Sequence, residues 1–386
     1  MSDIYLDNNA TTELDERVLN AMLPVLRHVG NPSSAHQAGQ TAHRWVEDAR
    51  RQVANLLDAS SREIVFTSGS TEANNLALKG LFRGANSGRR RIVSVTTEHP
   101  AILETLRALS VDDADVVLVP VDHLGIVDLQ RLEYAVDDDT LLVTVMAAHN
   151  ETGVLAPLPQ IAEIAHAKGA VFHTDATQML TWGKVDVDAL GVDLLSLSGH
   201  KMHGPQGVGA LYVSLECSRR LMPVQHGGGH ERGIRSGTLN TAGIVGLGAA
   251  AEIAASEGSV AAVRVQTLRD RLHHGLEEFA APVILNGHPV DRLPGTLNLS
   301  FPGADADAVM AGAPKVAVAT GSACSTGHPG PSHVLTAMGL DEERAACSLR
   351  FGLSRFTTAE EVTTTVSLVA ASVARVRHRQ AEVASA

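Results

Sequence analysis

The sequence predicts an α/β protein with a mostly parallel central sheet and a smaller α+β domain. Two observations lead to this prediction. Short runs rich in β-branched residues alternate with helix-length amphipathic segments through roughly the first 260 residues, a pattern typical of parallel strands joined by helices. The chain has 386 residues, which is more than one hydrophobic core usually serves, so two domains are expected.

Seven short apolar runs are predicted to be the buried strands of this sheet. They begin at Ile64, Arg91, Val116, Leu141, Val171, Leu194 and Gly209. Amphipathic segments lie between them; one spans 156–168, where Ile161 and Ile164 recur at helical spacing. Because strands joined by helices in this way run parallel, the sheet is expected to be covered on both faces.

The pattern changes near residue 260. Residues 260–279 are predicted to be a helix that leads into the second domain. Further strands and a last helix are predicted to begin near Val283, Gly295 and Thr358. We therefore predict a large domain of residues 15–260 and a small α+β domain formed by residues 1–14 and 261–386.

The composition narrows the class of protein. Lys and Arg number 31 against 43 Asp and Glu, and this net charge of −12 argues against direct binding of nucleic acid through its phosphates. Three cysteines cannot form a disulfide framework and indicate a reducing compartment, so a cytoplasmic location is expected. No signal peptide is visible and no run approaches the roughly 18 apolar residues of a membrane span, so no membrane association is expected.

The segment Thr67-Ser-Gly-Ser-Thr-Glu follows a predicted strand and opens a predicted helix. Gly69 would let the backbone approach a ligand closely, while Ser70 and Thr71 offer N–H groups and hydroxyls at the positive end of the helix. This pattern indicates a phosphate site. It suits equally well an ordinary helix whose N-cap is Ser70 or Thr71.

Two further segments end a predicted strand with a residue that could act on a ligand. Asp175, followed by Gln178, lies at the carboxyl end of a parallel strand, where ligands bind in open α/β sheets; a helix N-cap is the alternative interpretation. Lys201 lies in a turn rich in Gly and His, and a lysine amine in such a place can form a Schiff base with a carbonyl. The other four lysines occupy ordinary helix or loop positions.

A phosphate cradle, a strand-end acid and a lysine in a glycine-rich turn together meet the needs of pyridoxal 5′-phosphate (PLP). The lysine forms an imine, the acid keeps the pyridine nitrogen protonated, and the cradle anchors the phosphate. Each signal is weak alone, but their order along one chain makes PLP the predicted cofactor. No metal is predicted, because no Cys/His set with ligand spacing completes a site around His200 and His203.

Cys324 and Arg350 are candidates for handling a substrate. Cys324 lies among Gly, Pro and Ser residues that cannot easily pack it away, which favours a reactive thiol, whereas Cys217 and Cys347 are interpreted as ordinary buried cysteines. Arg350 falls within an otherwise apolar strand and therefore needs an anion partner. A substrate carboxylate or an internal salt bridge would each supply one.

Several longer motifs accompany these residues. They include Tyr5-Leu-Asp-Asn-Asn-Ala-Thr-Thr, Thr97-Glu-His-Pro, Asn150-Glu-Thr-Gly, His173-Thr-Asp-Ala-Thr-Gln, Ser198-Gly-His-Lys, Arg235-Ser-Gly-Thr, Gly321-Ser-Ala-Cys and Leu349-Arg-Phe. With them the chain resembles, over nearly its whole length, the cysteine desulfurases of the NifS/IscS type. These are fold-type I (aspartate aminotransferase-like) PLP enzymes of the class-V aminotransferase family.

The resemblance implies a role for each candidate residue. Lys201 would hold the cofactor and move the substrate's α-proton, His99 would stack on the ring and assist proton transfer, and Cys324 would be the nucleophile. Asp175 would pair with the ring nitrogen and Gln178 with the phenolic oxygen. The phosphate would be bound by Ser70, Thr71, Ser198, His200 and, from the partner subunit of a homodimer, Thr238. The substrate carboxylate would be held by Asn150 and Arg350.

The resemblance also implies the reaction. L-cysteine would be converted to L-alanine, with a persulfide left on Cys324 for an acceptor protein in iron–sulfur cluster assembly, tRNA thiolation or DNA phosphorothioation. The length of the loop from Cys324 to Pro331 matches the long-loop subgroup, which indicates direct transfer to that acceptor. One departure is His149, which stands where the family commonly has Val or Asn.

Other functions stay open from the sequence. The same fold could serve a selenocysteine lyase or an aminotransferase, and an aminotransferase would not need Cys324. A cofactor-free sulfur-carrier scaffold is a third possibility, and it predicts a colourless protein.

Overall fold

The computed structural model describes residues 4–85, 88–320 and 332–384. In chain order its strands are β1 (Ile4–Tyr5), β2 (Ile64–Thr67), β3 (Arg91–Val95), β4 (Asp115–Val119), β5 (Thr140–Thr144), β6 (Val171–Asp175), β7 (Leu194–Ser198), β8 (Gly209–Val213), β9 (Ile284–Leu285), β10 (Thr296–Ser300), β11 (Val316–Ala317) and β12 (Ser348–Gly352). Its helices are α1 (Glu16–Leu26), α2 (Gln37–Leu56), α3 (Ser70–Arg83), α4 (Pro100–Val111), α5 (Leu129–Ala135), α6 (Leu158–Ala167), α7 (Val187–Leu190), α8 (Leu215–Ser218), α9 (Thr241–Phe279), α10 (Ala306–Gly312), α11 (His333–Ala337), α12 (Glu342–Ala346) and α13 (Ala359–Ala384).

Strands β2 to β8 form a central sheet in the order β2-β8-β7-β6-β5-β3-β4. Neighbouring strands are parallel except around β8, which runs antiparallel to both β2 and β7. The seven strands coincide with the seven apolar runs, and the predicted mostly parallel α/β class is confirmed.

The sheet is covered on both faces, because successive side chains of a strand point to opposite sides. In one cluster Val93 and Phe172 pack with residues of α2, α6 and the first half of α9. In a second cluster their chain neighbours Ile92 and Val171 pack with α3 and α4. Strands β2, β5, β6, β7 and β8 are buried along their whole length, which explains why they are continuous apolar runs in the sequence, whereas the edge strand β4 is partly exposed.

A third cluster lies around a small antiparallel sheet of order β12-β10-β9. Its residues come from β10, β12, α10, α13 and the second half of α9. The helix predicted over 260–279 is therefore part of a longer one, which begins at Thr241. Ile244 packs in the first core and Leu272 in the third, so one continuous helix joins them. The domain boundary at residue 260 stays a prediction, and it falls inside this helix.

Helix α9 is also long and apolar enough to cross a membrane, by length and composition alone, with 44% of the relevant window buried. In this fold the helix packs against α1, α2 and α13. Its buried apolar residues, among them Leu247 and Leu268, belong to two of the protein's cores, which is the behaviour of a core helix.

A buried ion pair ties α2 to the edge of the central sheet. The guanidinium of Arg50 contacts both carboxylate oxygens of Glu231 at 2.7 and 2.8 Å, and it also donates to the carbonyl of Ile64 at 2.9 Å. Glu231 in turn accepts from the N–H of Phe66 at 2.8 Å. Arg50 and Glu231 are only 4% and 6% exposed, so each charge depends on the other.

We predict that Arg50→Met lowers the free energy of unfolding by about 3–5 kcal/mol, because it leaves the Glu231 carboxylate buried without its partner. Urea denaturation followed by circular dichroism measures this loss. The control is Arg51→Met on the next residue of α2, whose ion pair with Asp48 is exposed. That change should cost less than about 0.5 kcal/mol. Equal losses in the two variants would contradict the prediction.

Candidate active site

A cavity of about 250 Å³ lies at the carboxyl ends of the parallel strands. It is lined by Ala10, Ser70, Thr71, His99, Met146, Ala148, Asn150, Asp175, Thr177, Gln178, His200 and Lys201. An adjoining cavity of about 370 Å³ shares Ser70, Thr71 and His200 and adds Ser198. Nine of the residues named from the sequence therefore meet at one edge of the sheet. A larger groove of about 790 Å³ between α9 and α13 contains none of them.

Asp175 ends β6 and is 8% exposed. Its Oδ2 accepts from Asn74 Nδ2 at 2.7 Å, and its Oδ1 accepts from the Thr177 N–H at 3.0 Å. Asn74, on α3, is fully buried, and the sequence analysis does not name it. A signal existed, because Asn74 shares the buried face of α3 with Ala77 and Leu78 at helical spacing. A polar residue on an apolar face calls for a buried partner.

Lys201 lies in a 3-10 turn, Gly199–Lys201, directly after β7. Its ammonium donates to the backbone carbonyls of Asn9 and Ala10, the latter at 2.7 Å. The carbonyl of Asn9 also accepts from Gln178 Nε2 at 2.9 Å. The segment that follows β1 thus forms one wall of the cavity, a role that the sequence analysis does not assign to it.

His99 is the N-cap of α4, and its Nδ1 accepts from the Ala101 N–H at 3.0 Å. That contact places the ring hydrogen on Nε2. Burial lowers the pKa of His99, with the charge of Lys201 adding to the effect, while Asp175 opposes it. The ring is therefore held mainly neutral at pH 7 in a defined tautomer.

The predicted phosphate cradle has an open helix end. The N-cap of α3 is Gly69, not Ser70 or Thr71, so that alternative in the sequence analysis was wrong. Gly69 has φ +153° and makes no side-chain capping bond, which leaves the first N–H groups of the helix available to a ligand. Ser198, at the end of β7, lines the same cavity.

His200 adds a neutral ring to this cradle. Its Nδ1 lies 3.1 Å from Thr11 Oγ1. Burial and the neighbouring Lys201 lower the pKa of His200 to about 4. The other histidine of the motif, His203, points away and contacts the carbonyl of Glu13 at 2.8 Å. Within 4–85, 88–320 and 332–384, no three His, Cys, Asp or Glu side chains are grouped so that they could hold a metal ion.

Arg350, in the middle of β12, is fully buried. Its guanidinium donates to Asp7 Oδ1 at 2.7 Å and to the carbonyl of Asn150 at 3.2 Å. The internal ion pair that the sequence left open is therefore present. Asn150 lines the cavity. Arg350 does not line it, and contacts the backbone of Asn150 from the side away from the cavity. The role of both residues toward a substrate carboxylate stays a prediction.

Two buried carboxyl groups flank the cavity, and the sequence analysis does not name either. Glu98 Oε1 accepts from the Met146 N–H at 2.6 Å, and burial raises the pKa of Glu98 to about 8. Glu151 Oε2 accepts from Ser332 Oγ at 2.6 Å, and burial raises the pKa of Glu151 to about 7. Both lie inside motifs quoted above, Glu98 directly before His99 and Glu151 directly after Asn150, but nothing in the sequence indicates that they are buried.

His149, the departure from the family pattern, bridges two segments of the site. Its Nε2 donates to the carbonyl of Thr97 at 2.8 Å, and its Nδ1 accepts from the Glu151 N–H at 3.1 Å. Burial lowers the pKa of His149 to about 4. The neutral ring therefore links the segment before His99 to the turn that carries Asn150.

Thr238 is a predicted site residue that does not line the cavity. It is exposed in the segment before α9. Cys324 lies outside the described residues, as does the predicted loop through Pro331. Of the other cysteines, Cys217 and Cys347 are buried and free, as the sequence indicates.

Comparison with known proteins identifies the family. The model of the family "Aminotransferase class-V" matches residues 4–364. The chain is 47% identical over 376 residues to cysteine desulfurase IscS of Anaeromyxobacter sp. (strain Fw109-5), covering 97% of this chain and 93% of that protein. A solved NifS-like protein is 38% identical with a TM-score of 0.89, covering 96% and 98% of the two chains. A structure of SspA in complex with cysteine is 35% identical with a TM-score of 0.81, covering 92% and 100%.

These likenesses agree with the mostly parallel sheet, and they confirm the predicted fold-type I class. The chain belongs to the class-V aminotransferase family and, within it, to the cysteine desulfurases of the NifS/IscS type.

The buried acid Glu98 gives a testable pH dependence. Between its ordinary pKa near 4.5 and its folded pKa of about 8, the folded chain holds a proton that the unfolded chain has lost, so stability falls as pH rises. Glu151 contributes in the same direction only up to about pH 7. Between pH 7 and 8 we predict that the wild type loses about 1 kcal/mol more stability than Glu98→Gln. Urea denaturation at the two pH values measures the difference.

The control for this prediction is Glu104→Gln, which changes an exposed carboxyl on the neighbouring helix α4. Its loss of stability between pH 7 and 8 should match that of the wild type. If Glu98→Gln also keeps the full wild-type slope, the buried proton on Glu98 is disproved.

Proposed function

We propose that this chain is a PLP-dependent cysteine desulfurase, which removes sulfur from L-cysteine, releases L-alanine and carries the sulfur as a persulfide on Cys324. The observation that supports this most directly is the convergence of Lys201, Asp175 and the open end of α3 on one cavity. The names of similar proteins agree with this proposal. Several relatives are named cysteine desulfurases, and one similar solved structure, SspA, is a complex with cysteine.

The donor set around the cavity fits PLP. Lys201 offers the amine for a covalent bond to the cofactor's aldehyde, and Asp175 offers a buried carboxylate for the pyridine nitrogen. The free N–H groups of α3 and the hydroxyls of Ser70 and Ser198 suit a phosphate. When bound, PLP supplies an electron sink for the charge that develops at the substrate's α-carbon.

The chain's own residues would then do three things. Asn150 would help to hold the substrate carboxylate, with Arg350 fixing its backbone from behind. The amine of Lys201 would move the proton at the α-carbon. His99, neutral with its hydrogen on Nε2, would stack on the ring and assist that transfer.

The transfer of sulfur from L-cysteine to Cys324 requires no external oxidant or reductant. The Cys324 thiolate attacks the sulfur of L-cysteine, an S–S bond forms, and the C–S bond of the substrate breaks. The electron pair of that bond goes to carbon, which takes up a proton and becomes the methyl group of alanine. L-cysteine and a thiol thus give L-alanine and a persulfide, which an acceptor protein would then take over.

We also propose that the enzyme works as a homodimer in the cytoplasm. Thr238 is exposed, in keeping with binding the phosphate of a second copy. Helix α1 carries exposed Leu19, Leu23 and Leu26 at helical spacing, which form an apolar stripe that a second copy could cover. The free state of Cys217 and Cys347 agrees with a reducing compartment.

We predict that Cys324→Ala lowers alanine formation from L-cysteine by more than about a hundredfold, because no thiol remains to take the sulfur. Alanine is measured by chromatography and the persulfide by mass spectrometry after alkylation. The control is Cys217→Ala, since burial raises the pKa of the Cys217 thiol to about 12 and makes it inert. Unchanged alanine formation in Cys324→Ala would favour a lyase that needs no sulfur-accepting thiol, whereas a keto acid formed without alanine would indicate an aminotransferase.

We predict that borohydride reduction fixes PLP covalently to the wild type but not to Lys201→Ala, because only the Lys201 amine forms the cofactor imine. Intact-protein mass spectrometry and absorbance near the usual roughly 410–420 nm band report the bond. Lys184→Ala is the control, since the Lys184 amine donates to Asn55 on the surface at 2.7 Å. A colourless wild-type protein incubated with PLP would refute the cofactor assignment.

A further inference from the structure

Both ends of the segment that carries Cys324 attach to the same small group of residues. On the N-terminal side, Ala319 and Arg350 exchange two backbone hydrogen bonds, at 2.7 and 3.2 Å. On the C-terminal side, Ser332 Oγ donates to Glu151 Oε2 at 2.6 Å. Arg350 in turn donates to the carbonyl of Asn150, the residue before Glu151. The two attachment points therefore meet behind the residue that lines the substrate end of the cavity.

Ser332 makes its contact from a defined position. It is 4% exposed and is the N-cap of α11, accepting from the Leu335 N–H at 3.3 Å. Helices α11 and α12 pack in a small apolar cluster, against which Val121 also packs. The hydrogen bond to Glu151 connects α11 directly to the turn that carries Asn150, and the next residue, His333, contacts the carbonyl of Glu98 at 3.3 Å.

The backbone of Glu151 is held by hydrogen bonds at both its N–H and its carbonyl. Its N–H donates to His149 Nδ1 at 3.1 Å, and its carbonyl accepts from Asn298 Nδ2 at 3.3 Å. The side chain is buried, with the residue only 2% exposed. Burying a carboxyl group costs more free energy than burying an apolar residue at the same position. The Glu151 carboxyl group, unlike an apolar side chain, can accept the directional hydrogen bond from Ser332.

We propose that Glu151 and Ser332 are positioning residues for the sulfur-transfer step. Their hydrogen bond holds Ser332, eight residues after Cys324, against the Asn150 turn, which limits the length of chain over which the thiol must search for the bound substrate. This inference rests on the proposed desulfurase function. It predicts that loss of the bond slows delivery of sulfur to Cys324 while leaving the binding of L-cysteine intact.

The test uses the PLP-loaded full chain and a series at one position. Ser332→Ala removes the donor, whereas Ser332→Thr keeps a hydroxyl and should restore the bond. Ser214→Ala is the matched control, because Ser214 also caps a short helix, α8, through a 3.2 Å bond from the Cys217 N–H. Three quantities are measured: the cysteine-induced absorbance change, kcat and KM for alanine formation, and the rate of persulfide appearance on Cys324.

We expect Ser332→Ala to lower kcat and the persulfide rate by about tenfold or more, with KM and the cysteine-induced absorbance change within about twofold of wild type. Ser332→Thr should recover most of kcat, and Ser214→Ala should keep it. Glu151→Gln, which still offers an oxygen acceptor, should lose less than Glu151→Ala.

Several outcomes would overturn the inference. An unchanged kcat in Ser332→Ala would do so, as would an equal loss in Ser214→Ala or a failure of Ser332→Thr to recover activity. An equal loss in the cysteine-induced absorbance change would assign Ser332 to substrate binding instead. A wild type that binds PLP and cysteine but forms no persulfide would instead refute the proposed function itself.

Discussion

The candidate site depends on one buried carboxylate, Asp175, held between Asn74 and the Thr177 amide. Asp175 ends a strand of the central sheet, whereas Asn74 lies on the helix whose first turn forms the predicted cradle. Their 2.7 Å bond therefore joins the two elements that would face opposite ends of the proposed cofactor. The packing of α3 on the sheet sets the spacing between them, and the hydrogen bond adds a directional contact between helix and strand.

Burial also decides which groups near the cavity carry charge. The pKa of Glu98 is raised, and those of His99, His149 and His200 are lowered, so these four groups are predominantly neutral at pH 7. Neutral donors and acceptors in a fixed orientation can guide a ligand without the reorganisation that mobile charges require. A charged ligand in such surroundings would interact strongly with the few groups that remain ionised.

The strands, the fold class, Asp175 and Lys201 could be predicted from the residues themselves, because in parallel α/β folds a strand end also marks the ligand edge. The cavity residues His99, Asn150, Ser198 and His200 were predicted only from the family resemblance. Contacts between distant segments could not be predicted in this way. Asn74 meets a partner about a hundred residues away, and the pairing of Arg350 with Asp7 needs both ends of the chain in place. The 39-residue length of α9 escaped prediction because its first half, rich in Ala and Gly, lacks a clear polar face.

The contacts of Lys201 have a consequence for the order in which the protein assembles. The carbonyls that receive its amine belong to Asn9 and Ala10, in the segment that follows β1. That segment is held by the pairing of β1 with β11 and by the bond from Asn8 to the carbonyl of Gly352. This wall of the cavity is synthesised first and also bonds to His200 through Thr12, but its bonds to β11 and to Gly352 can form only after those residues have been synthesised. A nascent chain that stops before β12 would therefore lack the contact that holds Asn8.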